Sequence, residues 1–219
     1  MKKLLTMAVM ASTVLLSSSV ASAMFTIDAD SYADGANMSS PGYGVTLSSP
    51  FSGAFSSDGY VYAQTAADSS HASTGTNVFG NSVAGSDVHG NPFDEIWHQT
   101  ASYGEVRLRA DFAAPANYVA IDIIGNNDLA DYGILEAYDS GGSLLASVSN
   151  GSALYDGDVF TATITRPSYD IAYVIASGIG GNTVHLDNLE ANVIPAPGAV
   201  LMAAMGVGLV GWLRRSRAF

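Results

Sequence analysis

Glu105-Val106-Arg107-Leu108-Arg109-Ala110-Asp111-Phe112 alternates strictly, with Val106, Leu108, Ala110 and Phe112 apolar and the residues between them charged. Period two puts the apolar set on one face of a strand and the charged set on the other, so the segment reads as a strand with one buried and one wet face. Outward from it, Val119, Ile121 and Ile123 continue the pattern beyond Pro115. Leu135 and Ala137 lead through Asp139-Ser140-Gly141-Gly142-Ser143 to Leu144 and Leu145, the composition of a hairpin. Val159–Ile164, Ile171–Ile175 and Thr183–Val193 read as further strands, with a turn at Gly178–Asn182 before the last. No window in this region has the 3.6-residue period of an amphipathic helix. Strands separated by turns at about ten-residue intervals predict an all-β sandwich.

The first half is less regular. Phe25-Thr26-Ile27, Tyr43–Leu47 and Tyr60–Gln64 read as strands. The Ser-, Thr-, Gly- and Asn-rich stretch 65–92 is expected to be a long surface loop with at most one short strand.

Both ends differ from the middle. Lys2 and Lys3 precede an apolar run, Leu4–Leu16, and then Ala21-Ser22-Ala23, the small-x-small pattern of a signal peptide cleaved after Ala23. At the other end, residues 198–213 carry no charge and would span roughly 24 Å as a helix, close to a bilayer core. Arg214, Arg215 and Arg217 follow, placing that end in the cytoplasm and the body outside. The chain therefore divides into 1–23, a body 24–194, and a tail 195–219.

All twenty acidic residues lie in the body, against three basic ones, Arg107, Arg109 and Arg166, for a net charge of −17. Nucleic acid is excluded as a partner, because phosphate binding needs clustered cations. The absence of cysteine excludes disulfides, thiolate metal sites and a cysteine nucleophile.

Pro195-Ala196-Pro197, an apolar helix and an arginine cluster, in that order, resemble the PEP-CTERM sorting signal, with Ala196 where that family carries glutamate. The resemblance implies an exosortase as partner, transient anchoring in the membrane, and delivery to the cell surface or extracellular matrix of an exopolysaccharide-making bacterium. The body's Tyr43-Gly44-Val45-Thr46-Leu47, its Arg109-Ala110-Asp111-Phe112 strand, the Asp139–Leu145 hairpin and the closing Leu186-Asp187-Asn188-Leu189 strand resemble jelly-roll, galactose-binding-like modules. That resemblance implies a jelly-roll-like antiparallel sandwich with neighbouring first and last strands. It also implies a structural calcium ion tying them, for which Asp28 and Asp187, then Asp30 and Asn188, are the residues of choice.

Asn127, Asp128, Tyr132 and Tyr138 combine amides, a carboxylate and aromatic rings, the groups that bind sugar C–H faces and hydroxyls. Tyr60, Tyr62, Trp97 and Tyr103 form a second such set. His71, His89, His98 and His185 show no zinc-binding spacing, and there is no G-x-S-x-G. The sequence thus points to an exported, non-enzymatic protein that binds exopolysaccharide. A matrix protein without sugar specificity and a secreted polysaccharide hydrolase are the alternatives.

Overall fold

The computed structural model describes residues 22–52, 57–66, 69–83, 97–100, 104–126, 130–179 and 183–194. Ala21, the sorting motif Pro195-Ala196-Pro197, the tail helix and Arg214, Arg215 and Arg217 lie outside them. Residues Met24–Val193 form one compact unit.

The described strands are, in chain order, β1 (Ala23–Ile27), β2 (Val45–Ser48), β3 (Phe51–Ser52), β4 (Ser57–Thr65), β5 (Asn77–Val83), β6 (Trp97–Thr100), β7 (Gly104–Val106), β8 (Leu108–Gly125), β9 (Gly133–Tyr138), β10 (Leu144–Ser149), β11 (Val159–Thr165), β12 (Ile171–Gly178) and β13 (Thr183–Val193). The only helical residues among those described form two single 3-10 turns, Ala29–Ser31 and Ser69–His71. The fold is all-β, an antiparallel sandwich, as the alternation predicts.

β8 organises it. Its first half pairs with β12 on one side and β2 on the other. Its second half pairs with β13 and β11 instead. One 18-residue strand thus serves both sheets, β10-β9-β12-β8-β2 and β11-β8-β13 with β6 beyond. Ala116 pairs with Ile171 of β12 and with Val193 of β13, so it marks where β11 succeeds β12 along one edge of β8 and β13 succeeds β2 along the other, and Pro115 stands beside it. A proline donates no backbone hydrogen bond, so it is tolerated where a ladder changes partner.

The inward face of the first sheet is Leu108, Ala110, Leu135, Ala137, Val174, Ala176, Val45 and Leu47, all buried. The second sheet contributes Ile121, Ile123, Ala162, Ile164 and Leu186. Each large aliphatic residue so buried is worth about 1.5–3 kcal/mol of transfer free energy.

One expectation for the first half needs correction and one needs detail. Tyr43 does not begin a strand: β2 starts at Val45, and Tyr43 sits in a turn with φ 56. Within 65–92 the one short strand that the sequence allows is present, and its residues are more deeply buried than a surface stretch implies. β5, at 77–83, pairs with β4, and Val78 and Phe79 are fully buried. The hairpin packs against β13. Asn77, Gly80 and Asn81 hid this strand, because polar and small residues mask period two when burial comes from a neighbouring element rather than the central core. β1 does pair with β13, so first and last strands are neighbours as expected.

Candidate functional site

The strand pairing dictates what the outward face of β9, β12 and β8 presents. Tyr173 lies directly opposite Tyr138 on one side and Asp111 on the other. Their rings stack at 4.9 Å with 8° between planes, the spacing of neighbouring strands. The rings therefore stand like plates across two strands. The Arg109 guanidinium covers the second face of Tyr173, 3.9 Å from the ring centroid. Asp111, two residues along the same face of β8, fixes that guanidinium with bonds of 2.8 Å from Nε and 2.6 Å from Nη2. On β9 the Tyr138 hydroxyl donates to Glu136 at 2.9 Å, and Arg107 lies 3.9 Å from the same carboxylate. Burial, with the Glu136 bond adding to it, pushes the Tyr138 phenol up to about 12, so it stays a donor through the physiological range. All of these groups are half-buried.

This face holds two of the body's three arginines, each beside a carboxylate. The third, Arg166, makes a two-point pair with Asp170. The described cations are thus balanced locally, and none forms a basic patch for a polyanion.

Of the predicted sugar residues, Tyr138 belongs to this stack. Tyr132 is exposed on the same side of β9, but six residues away, roughly 20 Å along an extended chain. The two tyrosines do not form one site. Asn127 and Asp128 lie outside the described residues, as do Tyr103 and His89. Tyr60 and Tyr62 pack edge to face at 6.5 Å. Tyr173, Glu136, Arg109 and Asp111 went unrecognised as one group. The alternation shows that each faces outward, but nothing in it shows that β12 inserts between β8 and β9.

The residues named for calcium do come together. Asp187 is fully buried where a bulge interrupts β13, and Asn188 takes the left-handed conformation, φ 48. Asp187 Oδ2 accepts from the Ser73 backbone at 3.2 Å, the Ser73 hydroxyl at 3.0 Å and the Thr74 backbone at 3.3 Å. Asp187 Oδ1 accepts from Asn188 N at 2.9 Å. Asp30 Oδ1 accepts from Thr76 N and Asn77 N at 2.8 and 2.9 Å, and Asp28 Oδ1 from Asp30 N at 2.8 Å.

The donor set is all oxygen, the chemistry calcium takes, but its placement does not fit an ion that wants six to eight oxygens. N–H and O–H groups of residues 73–77 bond Asp187 Oδ2 and both Asp30 oxygens, Asn188 N bonds Asp187 Oδ1, and Asp30 N bonds Asp28 Oδ1. Among the described residues no three acidic or imidazole groups converge to hold a metal. The tie between the ends of the body is made here by hydrogen bonds. Burial pushes the Asp187 carboxyl up to about 6, against the opposing bonds from Ser73, Asn188 and Thr74.

Beside this corner the His71 and His185 rings stack at 4.4 Å. His185 meets Asn126 Oδ1 at 2.6 Å, and His71 meets Asp156 Oδ1 at 2.5 Å. The stack joins the 69–71 turn to β13, and the two bonds join β13 to the end of β8 and the 69–71 turn to the turn before β11.

No protein-family model matches the chain, and no curated protein matches it. Solved structures do resemble it. The K2 cleaved adhesin domain of Lys-gingipain aligns with TM-score 0.41 and 13% identity, over 77% of this chain and 99% of that one. A family 29 carbohydrate-binding module from Piromyces equi gives 0.39 and 7%, over 79% and 91%. A C-terminal family 22 carbohydrate-binding module of Clostridium thermocellum gives 0.40 and 9%, over 78% and 91%. At these scores and identities the likeness carries no argument about this chain's ligand.

Proposed function

We propose that the chain is an exported, surface-associated, non-enzymatic protein whose β-sandwich binds an exopolysaccharide. The outward face of β9, β12 and β8 is the contact surface. The observation that carries this reading is the Tyr138–Tyr173–Arg109 stack with its paired carboxylates. Tyr173 spends its flat faces on Tyr138 and on Arg109, so there a ligand meets ring edges, two phenol groups, guanidinium edges and carboxylate rims. That is a hydrogen-bonding surface for polyol hydroxyls, held stiff by packing, so that little side-chain entropy remains to be lost on binding. The apolar tail with Pro195-Ala196-Pro197 and Arg214, Arg215 and Arg217 is proposed to anchor the protein transiently and deliver it to an exosortase.

The test is affinity electrophoresis of the full chain through gels containing soluble polysaccharides. Wild type is expected to be retarded by at least one, and Arg109→Gln less so. Equal mobility in every gel, together with self-association in solution, would replace binding by a matrix role. Intact-mass measurement of the protein recovered from an exosortase-bearing host tests the tail: its loss is expected, and full-length recovery argues against sorting.

A further inference from the structure

Tyr43 occupies a backbone position that tyrosine rarely takes. Its φ is 56, and its neighbours Gly42 and Gly44 have φ 97 and 72. Three consecutive left-handed residues are inexpensive for glycine and strained for a side chain with a Cβ. Asn or Gly would relieve that strain.

The turn is nonetheless held firmly. Val45 N donates to Gly42 O at 3.0 Å, Ala113 N to Gly44 O at 2.7 Å, and the Tyr32 hydroxyl to Pro41 O at 3.3 Å. The ring lies parallel to Phe25, with centroids 5.1 Å apart and 3° between planes. Phe25 is 7% exposed and Tyr43 is 65% exposed. One face of the tyrosine is therefore spent on a buried ring, and the opposite face is turned to water. This is the reverse of Tyr173, which has both faces covered.

From this geometry we infer that Tyr43 is a second contact for sugar, a single platform on which one pyranose of a neutral polysaccharide stacks its C–H face. The inference rests on the carbohydrate reading above and adds a site to it. The surroundings select the ligand class. With 65% of Tyr43 exposed, no wall encloses the ring. A lipid chain or an apolar peptide anchor needs a pocket or groove to leave water, whereas a pyranose needs only one flat face and can keep its hydroxyls solvated. A neutral polymer is favoured over an acidic one because the body carries −17 and its three arginines stand beside carboxylates.

The experiment compares wild type, Tyr43→Asn, Tyr43→Trp and Arg109→Gln, all as full chains. Each is run through gels containing galactomannan, xyloglucan, mixed-linkage β-glucan, dextran or alginate, with the melting temperature measured alongside. Asn suits the left-handed turn, so the Tyr43→Asn melting temperature is expected to stay within a few degrees of wild type. Its affinity for the retarding neutral polymer is expected to fall about tenfold, the loss of one aromatic stack. Tyr43→Trp is expected to bind at least as well as wild type. Full retention by Tyr43→Asn, with retention lost in Arg109→Gln, would overturn this inference and leave the proposed function standing. Retardation of wild type by alginate alone would overturn the neutral-sugar assignment. Retardation by none of the five would overturn both readings.

Discussion

Asp187 and Glu136 are both carboxylates on inner strands of the sandwich, yet they sit in opposite circumstances. Asp187 is sealed beneath residues 73–77, and its oxygens accept hydrogen bonds from the protein itself. Glu136 lies half-buried on an outward face, sharing its charge between a phenol and a guanidinium. The difference teaches that residue type alone does not make a ligand site. A carboxylate sealed under donors serves the fold, and one at a half-open rim keeps capacity for a partner.

The largest test of that contrast is Asp187→Ala. It strands three backbone donors and a hydroxyl in a buried corner, so the folded state is expected to lose about 3 kcal/mol in chemical denaturation. A loss below about 1 kcal/mol would mean that the corner is not closed. A comparable effect should appear with pH. The Asp187 carboxyl is pushed up to about 6 from an ordinary 3.8. A raised folded value favours the protonated form, so this contribution is complete below about pH 4 and is lost as pH rises through 6. Over that window wild type should fall by about 3 kcal/mol relative to Asp187→Asn. Parallel curves for the two proteins would refute the assignment.

Gly75 is the next test. Its φ is 48, and a Cβ there would fall 2.2 Å from the Asp30 carboxylate. Gly75→Ala is expected to cost about 2 kcal/mol, because both the backbone and the Asp30 bonds must shift. On the outward face the same kind of change should be mild for stability. Arg109→Gln loses a cation–ring contact and a half-exposed ion pair, about 1 kcal/mol, while glycan retention falls. If stability dropped as far as for Asp187→Ala, the face would be structural and the contrast would fail. The smallest expected effect is that of chelation. With hydrogen bonds making the tie, excess EDTA should leave the melting temperature unchanged. A rise of several degrees on adding calcium would instead put an ion between the first and last strands.

Much of this molecule is legible in its sequence. The alternation from Val106 to Phe112, the Asp139–Ser143 turn and the runs at 159–164 and 171–175 specify half-buried strands, because period two has only one way to bury its apolar face. The body's acid excess and its three arginines set its charge wherever the chain goes. Asp28, Asp30, Asp187 and Asn188 could be named as one group because first and last strands were expected to meet.

Tertiary structure alone decided the rest. That β8 changes sheets beside Pro115 follows from which strands lie next to it, and pairing partners leave no local mark. Tyr138, Tyr173 and Arg109 become one stack only because β12 lies between β9 and β8. β5 is buried through its contact with β13, not through its own polarity. The free face of Tyr43 exists because a turn of three left-handed residues lays its ring on Phe25, eighteen positions earlier in the chain. Contacts of that kind depend on chain segments meeting in space, and no periodicity within either segment encodes the meeting.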